Sequence, residues 1–517
     1  MIRKNMRILF AGALLCSLSL AGCDALDTKE DLNLTDEMMA TRRYQMFDWG
    51  YRVYEHIPYG FTAIDGNLFA AVSDEAQYVT TFSSTQRFNE GSWSAYYNPD
   101  DCYTSYYNGI YAAHDYLDKS VDYRYILGMH RDTLTSNGLD SYRRDIVDVQ
   151  RLRAEAHVLK AYYYFELAKR YGGVPLIDRV YADPKEANLP RGTFDEVVGL
   201  ILYAASPQFN PSGEKSKWAA AAAAAFEVIN MGIYSLHPDY GGLFVAETST
   251  TSPETIWAVR IGATNEFERK NYPIGTQGGG TGICPSQNLV EAYESTGEDT
   301  DDAYAGLDPR FYATVLRNGD TWNGRTLEIY AGGADDPARQ NASPTGYYLR
   351  KFLNENLNLT NDDKRLRSWI VFRYAEILLN FAEAMNEAYG PDDAHGYGMS
   401  ARDAVDAVRA RSGVGMPPVD VDPGDAAAMR TAIKHERRIE LAFEDHRYWD
   451  LRRWDDAGTV LNRPLRGVKV TRSGDGFAYT PFEVAKRTFE APKMNLYPIP
   501  QAEIVKSGGV LDQNPGW

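Results

Sequence analysis

Cysteine is scarce, with four residues in a chain of 517. Cys16 lies inside an apolar leader, which leaves Cys23, Cys102 and Cys284. That set is too small for a disulfide framework or a zinc site. Cys102 and Cys284 either pair in an oxidising compartment or stay as buried free thiols. Long apolar runs are also missing, because nothing approaches the ~20 residues of a membrane-spanning helix. Positive charge is in deficit: 54 Lys and Arg face 71 Asp and Glu, for a net charge of -17. This excludes a general nucleic-acid binder, which needs a basic face. It fits a soluble body that meets neutral or cationic ligands. No cofactor is expected and no metal site is assigned.

The N-terminus is more informative. Arg3, Lys4 and Arg7 precede a short apolar stretch, Ile8 to Leu20, and then "LAGC", Leu20–Cys23. This reads as a lipoprotein signal peptide over residues 1–22, with Cys23 as the lipidated residue. Acylation there anchors the chain to a membrane, and residues 23–34 form a polar tether. Residues 35–517 are read as a single body.

Helical periodicity dominates that body. "DIVDVQRLRAEAHVLKAYYYFELAKRY", Asp145–Tyr171, carries a stripe of Leu152, Ala156, Leu159, Tyr163 and Leu167, and "GGVP" ends it. Further helices are expected over Trp218–Met231, Trp369–Tyr389, Ser400–Arg411 and Asp425–Arg453. Tyr103, Tyr107, Ile110 and Tyr111 step at helical spacing and read as core. Long helices joined by short breaks predict a mainly α fold of tetratricopeptide-like hairpins. Residues 73–101 and 264–361 are rich in Gly, Asn, Ser, Thr, Tyr and Trp and read as loop-rich insertions that carry function.

"HERRIELAFEDHRYWDLRRW", His435–Trp454, concentrates histidines, carboxylates and five arginines. His435 and His446 are eleven apart, so the zinc-protease spacing fails. Ile439, Ala442, Phe443, His446, Trp449 and Leu451 supply a broad buried side. Carboxylates and arginines at helical spacings then stitch helix faces together, and the segment reads as a seam.

The same segment resembles the C-terminal signature of the SusD/RagB family, outer-membrane lipoproteins that capture nutrients. "RLRAEAHVLKAYYYFELAKRYGGVPLI", "LPRGTFDEVV", "PETIWAVR", "CPSQNLVEAYESTGED", "FRYAEILLNFAEAMNEA", "AVDAVRARSGV" and "LYPIPQAEIVKSGGVLDQNPGW" are similar to family blocks and occur in the same order. The resemblance implies a tetratricopeptide-like scaffold with an irregular ligand-binding face and no catalysis. It implies a SusC-like TonB-dependent transporter as partner and exposure at the cell surface. Two departures stand out. A helix and loop usual after "DEVV" are missing here, so one fused helix is expected over residues 194–206. His114 stands where the family helix often has Asn.

Chemistry selects candidate ligand residues. A sugar offers flat C–H faces and hydroxyls, which aromatic rings and planar polar groups recognise. "RFNEGSWSAYYNPDD" supplies Arg87, Trp93, Tyr96, Tyr97 and Asn98, and "RNGDTWNGRTLEIY" supplies Trp322 and Asn323. Both tryptophans are expected at one shallow oligosaccharide site outside the core. A peptide ligand stays open as an alternative. So does a glycoside hydrolase built on carboxylates such as Asp74, Glu75, Asp100 and Asp101.

Overall fold

The computed structural model describes residues 42–517 apart from 184, 195–201, 297–301 and 303. The signal peptide, Cys23, the tether and most of the expected 194–206 helix lie outside the described residues. Chain contacts divide the rest into two units, the first formed by residues up to Val53 and by Ala112–Val158. In that unit the helix Arg43–Tyr51 carries Trp49, whose indole N–H bonds Asp115. Gly50 permits the Tyr116 ring to approach, since a Cβ there would meet it at 2.9 Å. Asp145 accepts from Arg43 and from Arg131 at 2.6 Å.

The second unit holds Tyr54–Tyr111 and Leu159–Trp517. Its helical part contains Lys215–Asn230, Tyr374–Ala388, Ala401–Arg409 and Ala426–Glu440. They enclose Leu378, Leu379, Phe381, Met385, Val405, Val408, Met429 and Ile433, with Ala221 and Ala222 packed in from the alanine-rich helix. The mainly helical architecture matches expectation. So does the long helix, observed over Ser136–Tyr171, with all five stripe residues buried. Gly172 ends it at φ 77, a left-handed conformation that a glycine adopts freely. Of the tyrosine ladder before it, Tyr103 and Ile110 are core and Tyr107 is half-buried. Tyr111 is exposed, and Tyr106 takes the inward place.

Two expected helices are corrected. Residues Arg365–Arg373 form a strand paired antiparallel with Thr255–Thr264, and the helix begins only at Tyr374. "SWIVF" is rich in β-branched and aromatic residues, and a partner strand decides the outcome. The expected helix Asp425–Arg453 breaks into Ala426–Glu440 and Arg447–Arg453. Phe443 at φ 66 and Asp445 at φ 62 make the break. Each left-handed residue costs about 1–2 kcal/mol. Distant contacts hold them: the Asp445 carboxylate accepts from Phe69 N at 3.2 Å, and Lys351 Nζ donates to Ala442 O at 2.8 Å.

The 264–361 region is irregular but not a mere loop face. Short strands Ile283–Pro285, Val315–Leu316 and Tyr348–Leu349 cross it, and Tyr272, Phe311, Trp322, Tyr347 and Phe352 build a second core.

The His435–Trp454 segment is buried as a seam. Glu440 is fully buried, and it accepts from Arg373 at 2.7 Å, Arg310 at 2.9 Å and Arg411. Glu254 and Glu444 bind the other edges of Arg373, Glu436 and Asp308 bind Arg310, and Arg409 and Lys351 complete the set. Five carboxylates thus face five cations. Arg437 bonds Asp450 at 3.1 Å, and Arg453 joins Asp450 to Glu383. His435 and His446 lie 3.3 and 3.8 Å from Glu294 and Glu376 at the rim.

Glu440→Ala removes the carboxylate on which three buried guanidiniums converge. It is expected to cost about 3–5 kcal/mol, the range for breaking a buried ion pair. Urea denaturation measures it, and a loss under about 1 kcal/mol would contradict the network's role.

Glu75 supplies a pH test. Burial, with Asp74 adding to it, pushes its carboxyl up to about 8. The folded chain therefore keeps a proton that the unfolded chain releases above its ordinary carboxylate range. The associated stability is full below about 4.5, falls as pH rises through about 8, and is flat beyond. Glu75→Gln removes this slope, so the variant gains melting temperature relative to wild type between pH 5 and pH 8. Parallel melting curves across that range would refute it.

Candidate functional site

The Ser73–Asp101 segment carries one short helix, Ser84–Asn89. Ser83 Oγ caps it by accepting from Gln86 N at 3.3 Å. The Asp65 carboxylate accepts from Ser84 N at 3.2 Å and from Thr85 N at 2.6 Å. Burial opposes its charge, yet the Thr85 and Ser84 bonds hold its pKa below the usual value. Thr85, Phe88 and Asn89 point inward, and Arg87 points to solvent.

Gly91 turns the chain at φ 70, and Trp93 then inserts into the core. Its ring stacks on Phe88 with centroids 5.0 Å apart and meets Tyr497 and Trp517 at 5.2 and 4.6 Å. Ser94 and Tyr97 exchange backbone bonds of 2.8 and 3.1 Å, a tight turn that lifts Tyr96 and Tyr97 outward. Tyr96 is 85% exposed, Tyr97 42% and Phe82 95%. The Arg87 guanidinium lies 5.3 Å from the Tyr97 ring centroid, and Tyr97 Oη and Ser84 Oγ share a hydrogen bond of 3.1 Å. Tyr97 is thus held by both neighbours while its side chain stays partly exposed. Rings beside a guanidinium and hydroxyls suit a ligand with an apolar face edged by polar groups.

Arg87 and Tyr97 are therefore in contact, and the exposed Tyr96 precedes Tyr97 in the same turn. Asn98 is half-buried, and its Oδ1 accepts from Asp100 N at 3.0 Å, bracing the turn. The expected exposure of Trp93 is corrected: it is a pillar under this surface. Trp322 is also corrected. It is fully buried in the Thr321–Trp322 and Arg325–Thr326 hairpin, edge-on to Tyr272 at 5.1 Å. Asn323 occupies the turn at φ 49, and its Nδ2 donates to Glu355 O and Leu357 O at 2.6 and 3.2 Å. Glycine and asparagine around Trp322 encode that turn, and the indole's large apolar area is what goes inside. Sequence reasoning missed Phe82. Its signal is a large ring flanked by Thr80, Thr81, Ser83 and Ser84.

The other chemistry-bearing side chains are spent internally. Asp74 is bonded by Arg438 and Arg447, each at 2.8 Å; burial opposes its charge, and these guanidiniums hold it well below the usual carboxylate range. Asp100 takes Arg170 at 2.9 Å and Tyr497 Oη at 3.0 Å. Asp101 accepts from Tyr171 Oη at 2.9 Å. Cys102 and Cys284 are free thiols, each pushed up to about 12 chiefly by burial. Among the described residues, no group of three or more His, Cys, Asp or Glu is placed to hold a metal ion.

Comparison with known proteins supplies kinship. The family model described as SusD family matches residues 253–517, and one described as starch-binding associating with outer membrane matches residues 26–226. SusD-like protein P2 of Formosa agariphila is 24% identical over 429 residues, covering 76% of this chain and 79% of its own. SusD-like protein P38 of the same organism is 26% identical over 370 residues, covering 63% and 70%. A crystal structure of a SusD-like protein from Bacteroides fragilis shares the fold with a TM-score of 0.74 at 24% identity, covering 94% of this chain and 99% of that one. A SusD-like carbohydrate-binding protein from the same species gives 0.70 at 22%, covering 92% and 99%. The fold, the collinear relatives and a family match over more than half the chain agree that the protein belongs to the SusD family.

Proposed function

We propose that the protein is a surface lipoprotein that binds a nutrient oligosaccharide and passes it to a TonB-dependent transporter. The observation that carries the binding reading is the exposure of Phe82, Tyr96 and Tyr97 within one short segment, with Arg87 against the Tyr97 ring. Solvent exposure of three large rings within one short segment is costly unless a ligand covers them. The rings stack on sugar C–H faces, and the exposed Arg87 meets hydroxyls at the edge. The carbohydrate-binding and starch-binding descriptions of its relatives support the same ligand class.

Binding is favoured over hydrolysis. A glycosidase needs two carboxyl groups about 5–10 Å apart across an open cleft. Asp74, Glu75 and Asp100 are buried, and Asp74 and Asp100 are ion-paired. Such groups stabilise the fold and are not free to meet a glycosidic oxygen.

A glycan array identifies the ligand, and titration calorimetry then tests the face. Tyr96→Ala and Tyr97→Ala are each expected to weaken binding by about 2 kcal/mol, some thirtyfold, with unchanged melting temperature. Trp322→Ala should instead lose about 3–5 kcal/mol of stability, as a truncated core tryptophan does. Two folded tyrosine variants that bind like wild type would move the site elsewhere.

Anchoring and partnership are tested together. The Leu20–Cys23 sequence motivates lipidation, and the family description associating it with the outer membrane supports the location. Tagged protein extracted in mild detergent is expected to bring down a TonB-dependent transporter, and Cys23→Ala is expected in the soluble fraction. A washed membrane that retains Cys23→Ala contradicts the anchor, and recovery of wild type alone contradicts the partner.

A further inference from the structure

A small cavity of about 10 Å³ lies between the ligand-face segment and residues 487–494. That volume leaves room for a single small guest. Phe88, Asn89, Trp93, Tyr448, Arg487 and Met494 are among its walls. Arg487 is 7% exposed, and none of the described residues places a carboxylate within ion-pair distance of it. Its Nη2 donates to Ala71 O at 3.1 Å and to Ala76 O at 2.6 Å. Its Nε and Nη1 have no protein acceptor, and neither has the Trp93 indole nitrogen.

These three nitrogens present four N–H groups. On the same wall Asn89 Oδ1 is an unpartnered acceptor and opposes an anion. A single water accepts two hydrogen bonds and brings no charge. It would leave half the donors and a buried guanidinium uncompensated, which costs several kcal/mol. Asp74 is the negative charge that reaches Arg487, and Arg438 and Arg447 already share it. Burial lowers Arg487 only to about 10, so it stays cationic at neutral pH.

We propose that this cavity binds one small monoatomic anion, a halide, between the Arg487 guanidinium and the Trp93 indole N–H. A polyatomic oxyanion is too large for the space. The ion neutralises Arg487 and fixes Trp93, the ring directly under the Ser94–Tyr97 turn.

Thermal melting in sodium chloride, sodium bromide and sodium gluconate at equal ionic strength tests it. The halides are expected to raise the melting temperature saturably and gluconate is not. Trp93→Phe keeps the ring stack and removes one donor. It should raise the half-saturating halide concentration about tenfold, the effect of one charge-assisted hydrogen bond. Arg487→Gln should abolish the response. Crystals soaked in bromide should show an anomalous peak within hydrogen-bond distance of Arg487 and Trp93, whether or not the Arg487 variant folds. Equal melting in all three salts, or a water in place of the anomalous peak, overturns the proposal.

Discussion

Glu440 is the constraint on which the second unit depends. Burial works against its charge, and Arg411, Arg373 and Arg310 together hold its carboxyl well below the usual range. These cations come from three separate places: the turn after Ala401–Arg409, the end of the strand Arg365–Arg373, and the helix Pro309–Thr314. Apolar packing is non-directional and accepts many arrangements. A carboxylate fully out of water accepts only those in which its partners all arrive. Each partner is tied in turn to Glu254, Glu444, Glu436 or Asp308, so the requirement spreads through helix, strand and loop alike.

The same seam supports the Ser84–Tyr97 segment through a run of rings. Trp449 stacks on Phe69 at 5.7 Å, Phe69 meets Phe88 edge-on at 5.8 Å, and Phe88 stacks on Trp93 at 5.0 Å. Lys169, Arg170 and Arg452 each lie within 5 Å of the Trp449 ring centroid. The cations desolvated there lose little, because the indole face replaces part of their hydration. A binding surface on a short segment needs such support, since a loop held only by its ends would lose much of its affinity to ordering. The division of labour is clear in two neighbours of similar chemistry: Trp93 is a pillar and Tyr97 is the surface it carries.

What could be read in advance follows from how local each signal is. The Leu152–Leu167 stripe and the Gly172 stop are encoded within a few turns of chain, and both were legible. The capping box at Ser400 and Asp403 is likewise local and starts its helix where expected. The seam's structural character was legible from its charge spacing, but not its pairing: Arg437 turns to Asp450 because the helix breaks between them. That break was illegible. Phe443 and Asp445 have no local preference for a left-handed backbone strong enough to predict it. Phe69, Lys351 and Glu75 impose it from far along the chain.

The candidate site divides in the same way. The exposure of Arg87, Tyr96 and Tyr97 agrees with the reading of their polar segment as a surface loop. Trp93 and Trp322 were misplaced by the same reading: a polar, glycine-rich neighbourhood describes the backbone turn and says nothing of where a ring finds partners. By itself the sequence determined the helical class, the collinear family blocks, the charge surplus and the aromatic content of residues 82–97, all carried by spacing and composition. Only the tertiary structure decided which aromatic rings are buried, which carboxylates are spent in ion pairs and where Arg365–Arg373 becomes a strand. Burial and pairing are properties of two surfaces meeting, and a residue's own neighbours in sequence supply only one of them.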